Sequence, residues 1–168
     1  MMDAQLDALA RRTGHWLLER GWRLATAESC TGGWIAETVT AIAGSSDWFD
    51  SGWVTYSNAA KMRQLDVPAS ALDTFGAVSE PVVSAMVQGA LAHSDAQVAI
   101  AVSGVAGPSG GRPGKPVGTV CIAWGWPDRP VRTTTFHFDG DREQVRRQAV
   151  IHALDGLLLA DTPANSVP

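Results

Sequence analysis

The stretch LATAESCTGG, residues 24–33, decides how the rest of the chain is interpreted. Its first four residues are small or branched and are typical of a buried strand, whereas WIAETV at residues 34–39 begins a helical pattern. Ser29 is therefore predicted at a strand-to-helix turn. Such a turn directs backbone N–H groups and the positive end of a helix dipole towards one point, where a developing oxyanion is stabilised. The same pattern is also typical of an ordinary helix N-cap, so other parts of the chain must decide between the two interpretations.

The composition is that of one soluble globular domain. The chain has 168 residues, of which 45% are hydrophobic and 18% charged, and a net charge of −4. The negative charge argues against a nucleic-acid partner, and no apolar run approaches the roughly 20 residues of a membrane span. The polar N-terminus does not resemble a secretion signal, so we expect a cytoplasmic protein. The two cysteines, Cys30 and Cys121, lack metal-ligand spacing and are expected to be reduced and unpaired.

Helical and strand patterns alternate along most of the chain. Helices are predicted at residues 3–20, 31–42, 58–65, 79–93 and from 141 to about 159, and strands at residues 24–27, 48–56, 98–102, 117–126 and 131–138. Glycine and proline predict a loop at residues 103–114. This alternation predicts a single-domain, layered α/β fold with a mixed sheet flanked by helices, in which the last two strands form a hairpin. We expect the domain to occupy residues 1–160 and residues 161–168 to form a flexible tail.

The common metal and nucleotide motifs do not occur. The four histidines share no HxH or HExxH spacing. Residues 104–115 contain glycines and a lysine but lack the GxxxxGK[ST] order of a P-loop, and no GxSxG elbow surrounds Ser29. We therefore expect neither a metal site nor the triad of an α/β-hydrolase.

Without a triad, Ser29 can still act as a nucleophile if a neutral amine accepts its proton. A buried lysine can do so, because desolvation disfavours the ammonium form and lowers a pKa that is ~10.4 in water. Lys61 is the candidate, since it lies one helical turn beyond the predicted strand end at Tyr56, where the two side chains can converge. Tyr56 would then relay or orient the proton. The alternative for Lys61 is an ordinary solvated helix lysine.

Five motifs resemble the CinA C-terminal domain family in identity and in order. They are TAESCTGG at 26–33, TYSNAAK at 55–61, GAVSEPVV at 76–83, GVAGPSGG at 104–111 and KPVGT at 115–119. Together they cover nearly the whole chain, so the resemblance implies the fold of that family. It also implies the family's activity, nicotinamide-nucleotide amidohydrolase, also called NMN deamidase. Ser103 stands where this family is expected to have Thr, a difference that keeps the hydroxyl.

The resemblance implies hydrolysis of the carboxamide of nicotinamide mononucleotide to nicotinate mononucleotide and ammonia, without a metal or redox cofactor. Ser29 matches the family's nucleophile, Lys61 its base and Tyr56 the third member of the catalytic set. The expected substrate-binding residues are Glu28, Cys30, Thr31, Gly32, Gly33, Ser103, Gly104, Gly107, Gly110, Lys115 and Arg142. Among these, Arg142 and the loop that follows Ser103 are expected to bind the 5′-phosphate. The alternative for Arg142 is an exposed charge in the first turn of a helix.

Two other functions remain open. One is a catalytically silent nucleotide-binding or interaction module of the CinA type, and the other is a hydrolase with Cys30 as its nucleophile. Members of this family associate, so we expect a homo-oligomer, for which exposed tryptophans would suit an interface. Larger relatives carry a separate N-terminal domain, and this chain starts directly with the first predicted helix, so we expect a stand-alone deamidase.

Overall fold

The computed structural model describes residues 3–161, and residues 162–168 of the predicted tail at 161–168 lie outside the described residues. The described residues form six α-helices and five strands. The helices α1 to α6 are Ala4–Arg20, Trp34–Thr40, Asn58–Leu65, Ala69–Phe75, Glu80–Ala92 and Arg142–Leu157. The strands β1 to β5 are Leu24–Glu28, Phe49–Val54, Val98–Gly104, Thr119–Gly125 and Arg132–His137. No helix within residues 3–161 is both long and apolar enough to cross a membrane.

The strands form one mixed sheet in the order β2-β1-β3-β4-β5. Strand β1 is parallel to β2 and β3, whereas β4 is antiparallel to both β3 and β5. The predicted mixed sheet and its closing hairpin are therefore confirmed. Because β1, β2 and β3 are parallel, their carboxyl ends meet at one edge of the sheet, which is where open α/β sheets bind ligands. The segments that follow these three strands emerge there side by side.

The two faces of the sheet carry side chains of different size. On β3, Val98, Ile100 and Val102 pack in a cluster that includes residues of α1, α2 and α6. The alternate residues Ala99 and Ala101 pack in a second cluster with residues of α3, α4 and α5. Since successive side chains of a strand point to opposite faces, this alternation produces three layers, with helices on both sides of the sheet. The short alanine side chains leave room for α5 to lie close to the sheet.

Helix α5 also packs closely against α3. A Cβ atom at Gly89 of α5 would lie 2.0 Å from the carbonyl oxygen of Leu65, the last residue of α3. A backbone oxygen cannot move aside in the way that the end of a flexible side chain can, so a side chain at this position would force the two helices apart. Because α3 also carries Lys61, this contact determines how close that candidate catalytic residue lies to α5.

The predicted start of α2 at residue 31 is wrong. The helix begins at Trp34 and ends at Thr40, and the residues before it form a turn. Gly32 and Gly33 have φ values of 63° and 98°, which a right-handed helix does not contain. The two glycines therefore complete the turn after Ser29 before the helix can begin.

The predicted loop at residues 103–114 also begins too early. Ser103 and Gly104 belong to β3, where Gly104 pairs with Val120 of β4. The pairing with β4 continues the strand through residues whose composition suggested a loop.

Helix α4 was not predicted. It has seven residues, no side-chain hydrogen bond caps it, and Leu72 is its one fully buried residue. A helix this short has too few turns for an apolar periodicity to be recognised. The other predicted helices and strands occur with ends that differ by at most two residues.

The seven tryptophans are buried or only partly exposed, so fully exposed ones do not supply an interface. The buried ones are Trp16, Trp48, Trp124 and Trp126, and the other three are only partly exposed: Trp22, Trp34 and Trp53. Tryptophan in this protein therefore supplies core volume, as large aromatic side chains commonly do.

Replacement of Gly89 by alanine tests the contact between α5 and α3. We expect Gly89→Ala to lower the free energy of unfolding by about 1–3 kcal/mol, because the added methyl group overlaps the Leu65 carbonyl. Urea denaturation measures this change. The matched control is Gln88→Ala on the exposed side of the same helix, which should change stability by less than about 0.5 kcal/mol. Equal stability of the two variants would contradict the proposed close contact.

Candidate active site

Ser29 and Lys61 meet at the edge where the parallel strands end. Ser29 follows β1, and its N–H donates to the carbonyl of Val102 at 3.0 Å, which extends the pairing between β1 and β3 by one residue. Lys61 Nζ lies 3.0 Å from Ser29 Oγ. Only 1% of Lys61 and 8% of Ser29 are exposed, so this contact is shielded from water.

Backbone carbonyl groups hold the Lys61 amine in place. Nζ lies 2.7 Å from the carbonyl oxygen of Thr55 and 3.3 Å from that of Tyr56, the two residues that follow β2. The start of α3 is fixed by Ser57, whose Oγ accepts a hydrogen bond from the N–H of Ala60. A neutral amine has two N–H bonds and one lone pair. In that form, donation to the two carbonyls leaves the lone pair to accept the hydroxyl proton of Ser29.

Burial lowers the pKa of Lys61 below its ordinary value. The cause is desolvation, which raises the free energy of the ammonium form relative to the neutral amine. A lysine in this position is a better proton acceptor near neutral pH than a lysine in water. The alternative of an ordinary solvated helix lysine does not fit the burial of this side chain.

Cys30 lies beside Ser29 but in a different environment. Burial, and to a lesser degree the carboxylate of Glu28, raises the pKa of the Cys30 thiol to about 12. The sulfur packs against β3, where a Cβ atom at Gly104 would lie 3.1 Å from Cys30 Sγ. At neutral pH this side chain is therefore a thiol within the core rather than a thiolate.

Glu28 holds the start of α2. Its two carboxylate oxygens accept hydrogen bonds from the N–H groups of Ile35 and Ala36 at 2.9 and 3.0 Å. The side chain is buried, and desolvation raises its pKa. The sequence suggests a contact with substrate for Glu28, but both oxygens are engaged within the protein, where they anchor the turn.

The turn after Ser29 contains backbone N–H groups that bond to no backbone carbonyl of the described residues. Gly32 donates to the carbonyl of Ser29 at 3.0 Å, and Trp34 donates to that of Thr31 at 3.2 Å. Within residues 3–161, the N–H groups of Cys30 and Thr31 have no backbone acceptor. Two successive N–H groups directly after a serine are the donors that an oxyanion hole requires.

Arg146 braces this turn from α6. Its Nε donates to the carbonyl of Cys30 at 3.0 Å and its Nη2 to the carbonyl of Thr31 at 3.1 Å. The guanidinium lies over the ring of Trp34, 5.3 Å from its centroid. Sequence analysis did not identify this residue. The available signal was its spacing of four from Arg142, which places both arginines on the same face of α6.

The Tyr56 phenol points away from Lys61. Tyr56 is 61% exposed, and its hydroxyl accepts a hydrogen bond from Arg142 Nη2 at 3.0 Å. Arg142 Nη1 also donates to the carbonyl of Gly107 at 2.8 Å. In the described part of the chain no hydrogen bond joins the phenol to Ser29 or Lys61. Tyr56 was expected to meet Lys61 through its side chain, but it does so through its backbone carbonyl. Its phenol hydroxyl instead bonds to Arg142, which in turn bonds to Gly107 in the loop after β3.

The loop after β3 is fastened at several points. Lys115 Nζ donates a hydrogen bond to the carbonyl of Phe75 at the end of α4. Its charge is therefore used to attach the loop to α4 and does not contact Ser29. Gly110 has a φ of 93° and turns this loop back towards Val105. Ser103 is buried within β3. Of the predicted loop residues, Gly107 is the one that the structure links to Arg142.

An open groove of about 580 Å³ adjoins the turn. The residues that line it include Gly32 and Gly33 of the turn and Arg142 and Arg146 of α6. A volume of this size suits a nucleotide-sized ligand. In the described part of the chain, no three His, Cys, Asp or Glu side chains lie close enough together to hold a metal ion.

Comparison with known sequences identifies the family. Residues 6–160 match the profile of the CinA C-terminal domain. The chain belongs to the CinA C-terminal domain family. A Pseudomonas putida member of this family, named nicotinamide-nucleotide amidohydrolase PncC, is 58% identical over 157 residues, which cover 94% of this chain and 98% of that protein.

Other CinA relatives agree with the fold and differ in length. The crystal structure of the competence/damage inducible protein CihA from Agrobacterium tumefaciens has a TM-score of 0.92 at 41% identity and covers 96% of this chain and 99% of that one. A putative competence-damage inducible protein of Symbiobacterium thermophilum is 51% identical over 156 residues, which are 88% of this chain but 37% of that relative. Both relatives carry the names by which the CinA family is known.

The lowered pKa of Lys61 can be measured directly. The chain contains two lysines, Lys61 and Lys115, so the 13Cε resonances resolve each titration and Lys61→Met assigns them. We expect the Lys61 midpoint below the ~10.4 of a lysine in water. A midpoint at or above that value would contradict the effect of burial.

The same shift predicts how stability depends on pH. The folded state releases the Lys61 proton at lower pH than the unfolded state does, so the unfolded state binds more protons between the two pKa values. The free energy of unfolding should therefore rise with pH across that interval. Lys61→Met should lack this rise, and urea denaturation of both proteins between pH 7 and about 10.4 checks it.

Proposed function

We propose that this protein is a nicotinamide-nucleotide amidohydrolase, which hydrolyses the carboxamide of nicotinamide mononucleotide to nicotinate mononucleotide and ammonia. The observation that carries the proposal is the contact of 3.0 Å between Lys61 Nζ and Ser29 Oγ in a buried site. A serine next to a desolvated amine is a known arrangement for nucleophilic catalysis. The name of the Pseudomonas putida relative supports the choice of substrate.

The first half of the reaction forms an acyl-enzyme. Lys61 accepts the hydroxyl proton of Ser29, and Ser29 Oγ attacks the carboxamide carbon. The carbonyl oxygen of the substrate becomes an oxyanion, which the N–H groups of Cys30 and Thr31 stabilise. Lys61, now an ammonium, returns its proton to the amide nitrogen, the C–N bond breaks, and ammonia leaves.

The second half restores the enzyme. Water loses a proton to Lys61 and attacks the ester carbonyl, and the same two N–H groups stabilise the second oxyanion. Collapse of this intermediate releases nicotinate mononucleotide, and Ser29 recovers its proton from Lys61. Thr55 and Tyr56 accept N–H hydrogen bonds from Lys61 throughout, since their carbonyl oxygens lie within 2.7 and 3.3 Å of Nζ.

The residues at the mouth of the site are proposed to bind the nucleotide. Tyr56 acts as the third member of the catalytic set by contacting the substrate through its exposed phenol, which Arg142 holds by a hydrogen bond. Arg142 and the backbone N–H groups of the loop around Gly107 bind the 5′-phosphate, as a guanidinium fork and a glycine-rich loop are suited to do. The adjoining groove accommodates the rest of the nucleotide.

The two alternative functions are less well supported. A catalytically silent module has no need for a buried lysine whose amine faces a serine hydroxyl. A hydrolase with Cys30 as its nucleophile requires a thiolate, whereas burial raises the pKa of this thiol to about 12.

We place the enzyme in the cytoplasm and expect it to form a homo-oligomer. Cys30 and Cys121 are buried and unpaired, which suits a reducing compartment. Val54, Met62 and Phe75 are exposed apolar side chains that suit an interface between copies of the chain. Light scattering of the purified protein measures the oligomeric state.

Ammonia release from nicotinamide mononucleotide tests the proposed function. We expect the wild type to release ammonia and Ser29→Ala to lose this activity, because the nucleophile is gone. Cys30→Ser is the matched control at the neighbouring position and should retain activity. A wild type as inert as Ser29→Ala would support the silent module, and loss of activity in Cys30→Ser alone would support the thiol hydrolase.

Replacement of Lys61 by arginine tests the proton acceptor. A guanidinium stays protonated and cannot take the proton of Ser29, so Lys61→Arg should lose turnover by about 10²–10⁴-fold while it still folds. In the wild type, kcat/KM should rise with pH through a single ionisation below ~10.4. Substantial turnover in Lys61→Arg, with circular dichroism like that of the wild type, would exclude Lys61 as the base.

A further inference from the structure

Arg146 makes its hydrogen bonds to the turn that follows the nucleophile and has no place in the mechanism above. Its Nε and Nη2 donate to two consecutive carbonyl oxygens, those of Cys30 and Thr31. The side chain is partly buried, and the ring of Trp34 lies against its guanidinium. A planar guanidinium fork donates two hydrogen bonds in a fixed relative geometry, which a lysine cannot reproduce.

The contact with the Cys30 carbonyl determines the direction of the Thr31 N–H. These two groups belong to the same peptide unit, which is trans and planar, so its C=O and N–H point in opposite directions. Because Arg146 Nε bonds to the Cys30 carbonyl, that carbonyl points towards α6, and the Thr31 N–H points away from α6. That N–H has no backbone acceptor among the described residues.

The contact with the Thr31 carbonyl acts on the Cys30 N–H through one more hydrogen bond. The peptide unit of the Thr31 carbonyl contains the N–H of Gly32, which donates to the carbonyl of Ser29 at 3.0 Å. The Ser29 carbonyl shares its peptide unit with the Cys30 N–H. Arg146 therefore fixes three successive peptide planes, and both N–H groups assigned to the oxyanion belong to them.

We propose that Arg146 is a positioning residue of the amide-cleaving site, which orients the N–H groups of Cys30 and Thr31 towards the oxyanion. This inference rests on the proposed function. Donors that are already aligned cost no reorganisation when the oxyanion forms, which is the basis of electrostatic catalysis. A guanidinium on the carbonyl side also polarises each peptide unit and strengthens its N–H as a donor. Arg146 acts through the backbone and touches no reacting atom.

Kinetic constants for ammonia release from nicotinamide mononucleotide test this role. We expect Arg146→Gln to lower kcat by about 10²-fold, comparable to the loss of one oxyanion donor. KM should change by a smaller factor than kcat, because the oxyanion is absent from the bound substrate and Arg146 contributes to the substrate groove only as one of its lining residues. The ionisation in the pH profile should keep its midpoint, because Arg146 does not contact Lys61. Arg146→Lys should also have reduced kcat, because an ammonium is a point donor that does not reproduce the fixed spacing and direction of the two guanidinium hydrogen bonds.

Arg147 provides the matched control. It is the next residue of α6, but its guanidinium binds Asp3 and Gln5 of α1 and does not touch the turn. Arg147→Gln should therefore keep the kcat of the wild type. If Arg146→Gln does not fold, the kcat of Arg146→Lys is compared with that of Arg147→Gln and the wild type instead. A wild-type kcat in Arg146→Lys, or a loss confined to KM, would overturn the inference.

Amide 15N spectra provide a readout that does not depend on activity. We expect the Cys30 and Thr31 resonances to shift in Arg146→Lys and to stay unchanged in Arg147→Gln. Unchanged resonances in both variants would overturn the inference whatever the kinetics. An inert wild type would instead overturn the proposed function, whereas an active wild type with a fully active Arg146 variant would overturn only the role of Arg146.

Discussion

The candidate site depends on the Lys61 amine being shielded from water and lying within hydrogen-bond distance of the Ser29 hydroxyl. Lys61 is among the largest fully buried side chains of the described residues, and lysine is a residue that is rarely buried unless it is paired. Burial of a charged ammonium is unfavourable, so the surroundings shift the balance towards the neutral amine, and the carbonyls of Thr55 and Tyr56 satisfy its N–H groups. The neutral form then has a lone pair left for Ser29. Burial therefore makes the ammonium unfavourable and favours the neutral amine that the proposed role as proton acceptor requires.

The sheet brings the two groups together although they are 32 positions apart in the sequence. Parallel pairing of β1 with β2 places the residue after each strand at the same edge, so Ser29 and Thr55 become neighbours. Helix α3 follows directly and carries Lys61 back over that edge, while Gly89 of α5 allows α3 to settle at the required depth. The turn after Ser29 is held from two sides, by the Glu28 carboxylate at the start of α2 and by Arg146 from α6. Contacts within the protein thus hold both the amine and the turn in fixed positions, as preorganised sites require.

Local sequence patterns predicted the alternating elements, the mixed sheet and the strand-to-helix turn at Ser29. Its position one helical turn beyond a strand end made Lys61 a candidate base for Ser29, but an ordinary solvated lysine remained an alternative, because spacing along the chain does not report distance in the fold. The family resemblance then favoured the pairing. The direction of the Tyr56 phenol was not predictable, since it depends on a hydrogen bond from Arg142, 86 positions away. Arg146 was missed for the same reason: its role is defined by carbonyls 115 and 116 positions earlier. Glu28 was predicted to bind substrate, but only the packing of α2 reveals that both of its oxygens accept hydrogen bonds from the start of that helix.

The groups that solvate the Lys61 amine are main-chain carbonyls, and this has a consequence for how the site tolerates variation. Every amino acid supplies the same carbonyl, so substitutions at positions 55 and 56 can alter the side chains there without withdrawing the acceptors. The hydrogen-bond acceptors around the Lys61 amine therefore depend on the backbone conformation after β2. Only a change in that conformation would remove them. Substitutions of side chains at the mouth of the site can therefore change which ligand fits, while the carbonyl oxygens that contact the Lys61 amine remain in place.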